Sequence, residues 1–252
     1  MTRKPFVLVP PSEAKSVGGS RVTRAGEFDA MLARQRVQVV ESIAQLVTTC
    51  SMPAIEKVLQ ARGPLLERAL VSLDQLVAGH PALVPAWRRY VGVVWSHLDA
   101  GALTSAQRRR LLIPSGLYGV TSAVDLIADY RLKMDVTLTP LGRLANFWRA
   151  DVTSSLIEHT TGSVVVNLLP REHAACVDWT RLSEATRVVD VSFVRADGRS
   201  AVGHAAKAVK GVLARALVER GVGIFEAFEW QGWHVLREYD HIRIVAPTVE
   251  GT

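Results

Sequence analysis

The sequence predicts one α+β domain spanning all 252 residues. Two patterns carry that prediction. Short apolar runs of strand length, such as "FVLV" at residues 6–9 and "VVVNLL" at 164–169, are interspersed with longer stretches of helical period rich in good helix formers. These runs follow one another without clean strand–helix–strand periodicity, and no repeat, low-complexity tract or linker divides the chain. Hydrophobic residues make up 48% and charged residues 21%, the balance of an ordinary globular protein with a substantial core.

In chain order, Phe6–Val9 reads as a buried strand stopped by Pro10 and Pro11. Residues 16–25, with Gly18 and Gly19, read as a polar loop. Phe28–Val47 is helical by period and composition, and Ile55–Leu76 is a second helical stretch interrupted at Gly63 and Pro64. Pro81 and Pro85 lead into "AWRRYVGVVWSHLDAGAL" (86–103), read as a helix. A basic helix end at Arg108–Arg110 precedes a strand at Leu111–Ile113, a turn at Pro114–Gly119 and a helix from Ser122. Leu144–His159 reads as helix and Ser163–Pro170 as a second apolar run closed by proline. A strand with Val189, Val191 and Phe193 on one face then meets an Asp197–Gly198 turn and a helix over His204–Arg220. "FEWQGWHVLREYDHIRIV" (228–245) reads as two strands of a hairpin-like unit.

Several function classes are excluded early. No apolar run reaches the roughly 20 residues of a membrane helix. The run of about five near the start is shorter than the core of a secretory signal, so a cytoplasmic protein is expected. Cys50 and Cys176 are the only cysteines and form no CxxC or Cys/His cluster, which argues against a disulfide framework or structural zinc. His159, His173, His234 and His241 make no HxxxH or HxH pair, so no metal site is expected. The P-loop, GxGxxG, GxSxG and HExxH signatures are absent, and no cofactor is expected. The net charge of +6 suits a polyanionic partner.

Seven stretches together resemble the YaaA family of peroxide stress resistance proteins: "PPSEAK" (10–15), "YVGVVWSHL" (90–98), "SGLYGV" (115–120), "DLIADYRLKM" (125–134), "FWR" (147–149), "VVNL" (165–168) and "HAAKAVKGVLAR" (204–215). They stand in the family's order and span nearly the whole chain. The resemblance implies a single domain with a central mixed sheet surrounded by helices, and a cytoplasmic protein that limits oxidative damage by keeping unincorporated iron low. It also implies non-sequence-specific DNA binding through a helix-hairpin-helix element. This chain departs from the family at "LPREHA" (169–174), with Pro170 and His173, and at Glu13 between Ser12 and Lys15, a variant of the actinobacterial branch.

The polar residues of these stretches are the candidate site. Ser12, Glu13 and Lys15 follow a strand end, where α/β folds place ligand loops; Lys15 suits a phosphate or carboxylate, and Glu13 is read as a base or as a partner that neutralises Lys15. "LLIPSGLYGVTSAVDLIADY" has the outline of a helix-hairpin-helix. In it Ser115, Gly116, Tyr118 and Gly119 would bring backbone to a DNA phosphate, with Arg108–Arg110 just upstream. A continuing helix would align Asp125, Asp129 and Lys133, with Tyr130 and Arg131 offering a ring and a bidentate fork. Asp125 is read as a buried partner of Arg131 or a catalytic carboxylate. His204, Lys207 and Lys210 share one side of a helix as a cationic stripe, with a lysine amine lowered by its neighbours. Asn167 ends an apolar strand as the first motif does. Two functions fit these residues. One is backbone-level DNA binding. The other is an enzyme that uses Glu13, Lys15, Asp125 or Lys207 on a small anionic or nucleoside-like substrate, through base or glycosidic-bond chemistry.

Overall fold

The computed structural model describes residues 4–238 and 241–247. Its elements are β1 (Phe6–Leu8), α1 (Asp29–Thr49), α2 (Met52–Leu59), α3 (Gly63–Val77), β2 (Leu83–Pro85), α4 (Ala86–Arg89), α5 (Val93–Leu98) and α6 (Ser105–Arg108). Then follow β3 (Leu111–Ser115), β4 (Gly119–Ser122), β5 (Leu126–Ala128), β6 (Thr137–Leu138), β7 (Gly142–Arg143), α7 (Leu144–Thr160), β8 (Val164–Asn167), α8 (Arg171–Ala174) and α9 (Trp179–Ala185). The chain continues with β9 (Arg187–Val194), α10 (His204–Arg220), β10 (Glu229–Trp230), β11 (Trp233–Glu238) and β12 (His241–Val245).

Eight strands form one mixed sheet in the order β10-β11-β12-β9-β8-β1-β3-β4. Strands β12, β9, β8, β1 and β3 run parallel to their neighbours within this set, and the edges are antiparallel. A parallel centre needs cover on both faces, so its strands are near-continuous apolar runs: Val7, Leu8, Leu112, Ile113, Val165 and Val166 are all fully buried. In β9 the expected alternation holds, with Val189, Val191 and Phe193 buried and Asp190 exposed. The junction of the expected terminal strand pair, Tyr239–Asp240, lies outside the described residues.

From β1 the sheet grows both ways: to β3 and β4 on one side, and to β8, β9 and β12 on the other. The order of strands therefore reverses between β1 and β8. At such a switch point the loops leaving adjacent parallel strands part and open a crevice beyond their C-terminal ends.

Two expectations need correction. The helix expected over 86–103 is broken at Gly92, which stands at φ +123, so only short α4 and α5 form. The helix-hairpin-helix expected around residues 111–128 is not there. Residues 111–122 are a β-hairpin, with Ser115 opposite Gly119 and Leu112 opposite Ser122, and residues 126–128 pair with β2 instead of starting a helix. The glycines answer internal packing. A Cβ on Gly116 would lie 2.6 Å from the Leu132 carbonyl oxygen, and one on Gly119, at φ +73, would lie 2.7 Å from the Trp148 ring. Every residue of β3 and β4 is buried, and in the turn between them only Tyr118 is half-buried. With the helix gone, Asp125, Asp129 and Lys133 share no helical face.

Candidate functional site

The first motif is strapped to the segment after α4. Trp95 Nε1 donates to the Pro10 carbonyl at 3.1 Å, the Val91 amide to Ala14 at 3.2 Å, and the Ser16 amide to Arg89 at 2.9 Å. Ser12 Oγ donates to the Val91 carbonyl. Gly92 leaves the room for this, since a Cβ there would stand 2.9 Å from Ser12 Oγ. Arg89, fully buried, donates to the carbonyls of Ser16, Gly18 and Ala82 and anchors the loop that follows. The prolines end β1, and this strapping turns residues 10–15 into a fixed ridge between two cavities.

The larger cavity, about 1330 Å³, opens beyond the C-terminal ends of β1 and β8, at the switch point. Ser12 and Glu13 enter from the first loop, Asn167 from the end of β8, Asp190 from β9, and Lys207 and Lys210 from α10. Asn167 sets the second loop: Nδ2 donates to Asp190 at 2.7 Å while Oδ1 accepts the Leu169 amide at 2.9 Å. Gly211 lets α10 lie directly on α5, where a Cβ would meet the Val94 carbonyl oxygen at 2.2 Å, and so places the two lysines over the cleft. Burial pushes the Lys210 amine down to about 8, with Nζ 5.0 Å from the Phe193 ring centroid. Burial pushes His173 down to about 4, which leaves a neutral ring at physiological pH, and its buried Nδ1 has no hydrogen-bond partner among the described residues.

The smaller cavity, about 350 Å³, lies on the other side of the ridge and is lined by Glu13, Lys15, Arg68, Asp129, Tyr130 and Arg131, among others. The Lys15 ammonium donates to the Ser12 carbonyl at 3.0 Å and sits 4.2 Å from the Tyr130 ring centroid. Burial brings its pKa down to about 7, with Asp129 opposing and Arg131 and Arg68 assisting. Beneath it, Tyr130 and Tyr90 hydroxyls stand 2.7 Å apart, and Ser115 Oγ donates to Tyr130 at 2.8 Å. Desolvation raises Tyr130 to about 12, so it stays a neutral phenol. Glu13 pairs with Lys133 at 2.8 Å and Arg131 at 3.4 Å; chiefly through the Lys133 hydrogen bond, its carboxyl is held below the usual range.

The family model for the peroxide stress protein YaaA matches residues 6–238. The chain belongs to the YaaA family. It is 32% identical to a UPF0246 protein of Streptomyces coelicolor over 86% of this chain and 84% of that one. A UPF0246 protein of Corynebacterium glutamicum is 29% identical over 84% of each chain, and one of Bacteroides thetaiotaomicron 26% over 76% and 79%.

In this YaaA-family chain the expected site residues divide three ways. Ser12, Glu13, Asn167, Lys207 and Lys210 meet in the large cleft. Lys15, Tyr130 and Arg131 meet, with Glu13, in the small cavity. Ser115, Gly116, Tyr118, Gly119, Asp125 and His204 line neither. Ser115 supports Tyr130, and the Tyr118 hydroxyl accepts the Ala128 amide at 2.9 Å. Asp125 is buried and holds backbone, accepting the Ser122 amide at 2.8 Å and the Glu27 amide at 3.0 Å rather than pairing with Arg131. His204 opens α10 beside His97. The basic run is also engaged internally: Arg108 donates to Ala100 and lies on Trp87, Arg109 pairs with Glu27, and Arg110 lies on Phe6. Sequence reasoning missed Arg68 and Asp190, single charges within a helix and a strand with no motif around them. Among the described residues, no group of three or more His, Cys, Asp or Glu gathers as metal ligands, and no helix is long and apolar enough to cross a membrane.

Proposed function

We propose that this YaaA-family protein serves the peroxide response by binding, and acting on, a small anionic ligand of nucleotide-like size in the large cleft. One observation carries the reading: at the switch point of a parallel sheet, Ser12 and Glu13, Asn167, Asp190, and Lys207 with Lys210 converge from four separate segments on a single cavity of about 1330 Å³. Glu13, Glu172 and Asp190 also line the cleft, and the α10 wall is the cationic side that suits an anion. Lys207 and Lys210 lie on α10 just after its uncapped start at Gly203, whose free amides add their dipole to the two amines. Asn167, Asp190 and the neutral His173 supply hydrogen-bonding groups for a base or sugar. Acid–base chemistry at a base or glycosidic bond is the reaction class this set of groups suits best. Peroxide chemistry through Cys176 does not fit, because that thiol is buried and pushed up to about 12.

The test is calorimetric titration of wild type and a Lys207→Ala/Lys210→Ala variant with nucleoside mono- and diphosphates, alongside a short DNA duplex over a salt series. Nucleotide binding lost in the variant is the expected result. If no nucleotide binds, and the duplex binds with a steep salt slope unchanged by the variant, the cleft reading is wrong and a separate DNA surface is responsible.

A further inference from the structure

The small cavity has a chemistry of its own. Its floor is an amine, Lys15, lying against the Tyr130 ring, and its wall carries two guanidiniums. Arg68 donates through Nε to Asp129 at 2.8 Å and through Nη2 to Lys15 O at 2.7 Å. Arg131 donates through Nε to Leu59 O at 3.0 Å and through Nη2 to Gln60 O at 2.9 Å, closing the C-terminal end of α2. Arg68 Nη2 also reaches the Ser16 carbonyl at 3.3 Å and Arg131 Nη2 also reaches Glu13 at 3.4 Å, so both arginines are fixed through Nε and Nη2, and among the described residues neither Nη1 makes a hydrogen bond. We propose that this cavity is a second, covalent site, in which Arg68 and Arg131 hold the carboxylate of a small oxo acid while Lys15 forms an imine with its carbonyl carbon.

The parts suit that step. A cavity of about 350 Å³ takes a ligand of few heavy atoms and not a nucleotide. With Nε and Nη2 of each arginine already engaged, each Nη1 can give a charge-assisted hydrogen bond to one carboxylate oxygen, and two such donors fix its orientation. An amine nucleophile must be unprotonated, and burial beside two guanidiniums supplies that form near neutral pH; Asp129 and Glu13 oppose, and Lys133 is engaged by Glu13. Lys15 first releases a proton to water. The nitrogen lone pair then forms a C–N bond as the carbonyl π pair moves to oxygen, which takes the first of the two nitrogen protons. The resulting hydroxyl leaves as water with the second nitrogen proton, and the C=N bond closes.

The experiment is reductive trapping. Wild type is incubated at neutral pH with glyoxylate and cyanoborohydride, which delivers hydride to the imine carbon, and adducts are mapped by peptide mass. The expected result is an adduct at Lys15 at least about tenfold above Lys4 and Lys57. Acetate should compete with it, and propanal, which has a carbonyl but no carboxylate, should show no such preference. Lys57, exposed on α2 and lining neither cavity, is the internal control and should label equally with both aldehydes. Lys15 labelling no faster than Lys4, or equal with propanal and glyoxylate, overturns the proposal. The Lys207→Ala/Lys210→Ala variant must retain the Lys15 adduct, so failure of the cleft reading and failure of this one are separate outcomes.

Discussion

Gly116→Ala separates a glycine kept for packing from one kept for a phosphate. The new Cβ would stand 2.6 Å from the Leu132 oxygen, 2.9 Å from the Lys133 oxygen and 3.0 Å from the Lys133 carbonyl carbon. All three are backbone atoms, so no side-chain rotation relieves the contact, and residues 132–133 must shift against a closely packed interior. Gly116 cannot easily yield instead, because its carbonyl accepts the buried Trp148 Nε1 at 2.9 Å and its neighbour Ser115 holds Tyr130. Overpacking costs about 1–3 kcal/mol, and a strained or lost buried hydrogen bond adds about 1 kcal/mol or more. A total near 2–4 kcal/mol corresponds, for a chain of this size, to a fall in Tm of about 5–15 °C. Urea denaturation and thermal melts measure it. Gly101→Ala is the control, since its Cβ would meet nothing closer than 3.7 Å and its cost should stay within about 0.5 kcal/mol. A Gly116→Ala protein as stable as wild type would refute the packing argument and return the glycine to a ligand-binding explanation.

Other outcomes follow from the same geometry. The Lys15 amine is lowered from 10.5 to about 7, so the unfolded chain binds more protons between those values and wild-type stability rises with pH across that window. In melts at pH 6.5 and 9.5, wild type should gain on Lys15→Met, and a difference independent of pH would contradict the burial of the amine. Asn167→Ala removes the bonds to Asp190 and Leu169, costing about 2 kcal/mol in urea and loosening the loop that walls the cleft. It should therefore also weaken nucleotide binding, and a purely thermal effect would place the loop outside the ligand site. Ser115→Ala leaves the Tyr118 amide and the Tyr130 hydroxyl each short of a buried partner, a loss of about 1–3 kcal/mol readable by the same titration. A thiol reagent should label exposed Cys50 in the native protein and Cys176 only after unfolding.

Strand and helix types were legible where one local signal dominated. The run Phe6–Val9 with its two prolines, the alternation in β9, the Asp197–Gly198 turn and the length of α10 all stand as the sequence implies. The order of motifs also identified the family, and the polar residues expected at the ends of β1 and β8 line one cavity. The segment after Gly119 was not legible. "TSAVDLIADY" has ordinary helical spacing, yet it folds as strand, turn and strand because Gly116 and Gly119 press its hairpin under Leu132 and Trp148, and Asp125 captures backbone amides from Ser122 and Glu27. Local periodicity cannot report a clash with residues 16 or 29 positions away. The division of one polar motif between two cavities was equally hidden, since it depends on which strands adjoin β1. Residues 10–15 carry the polar side chains, but only the reversal of strand order beside β1, and the buried Arg89 that pins the loop, decided that Ser12 lines a cleft of about 1330 Å³ while Lys15 lines a separate cavity with Arg68 and Arg131.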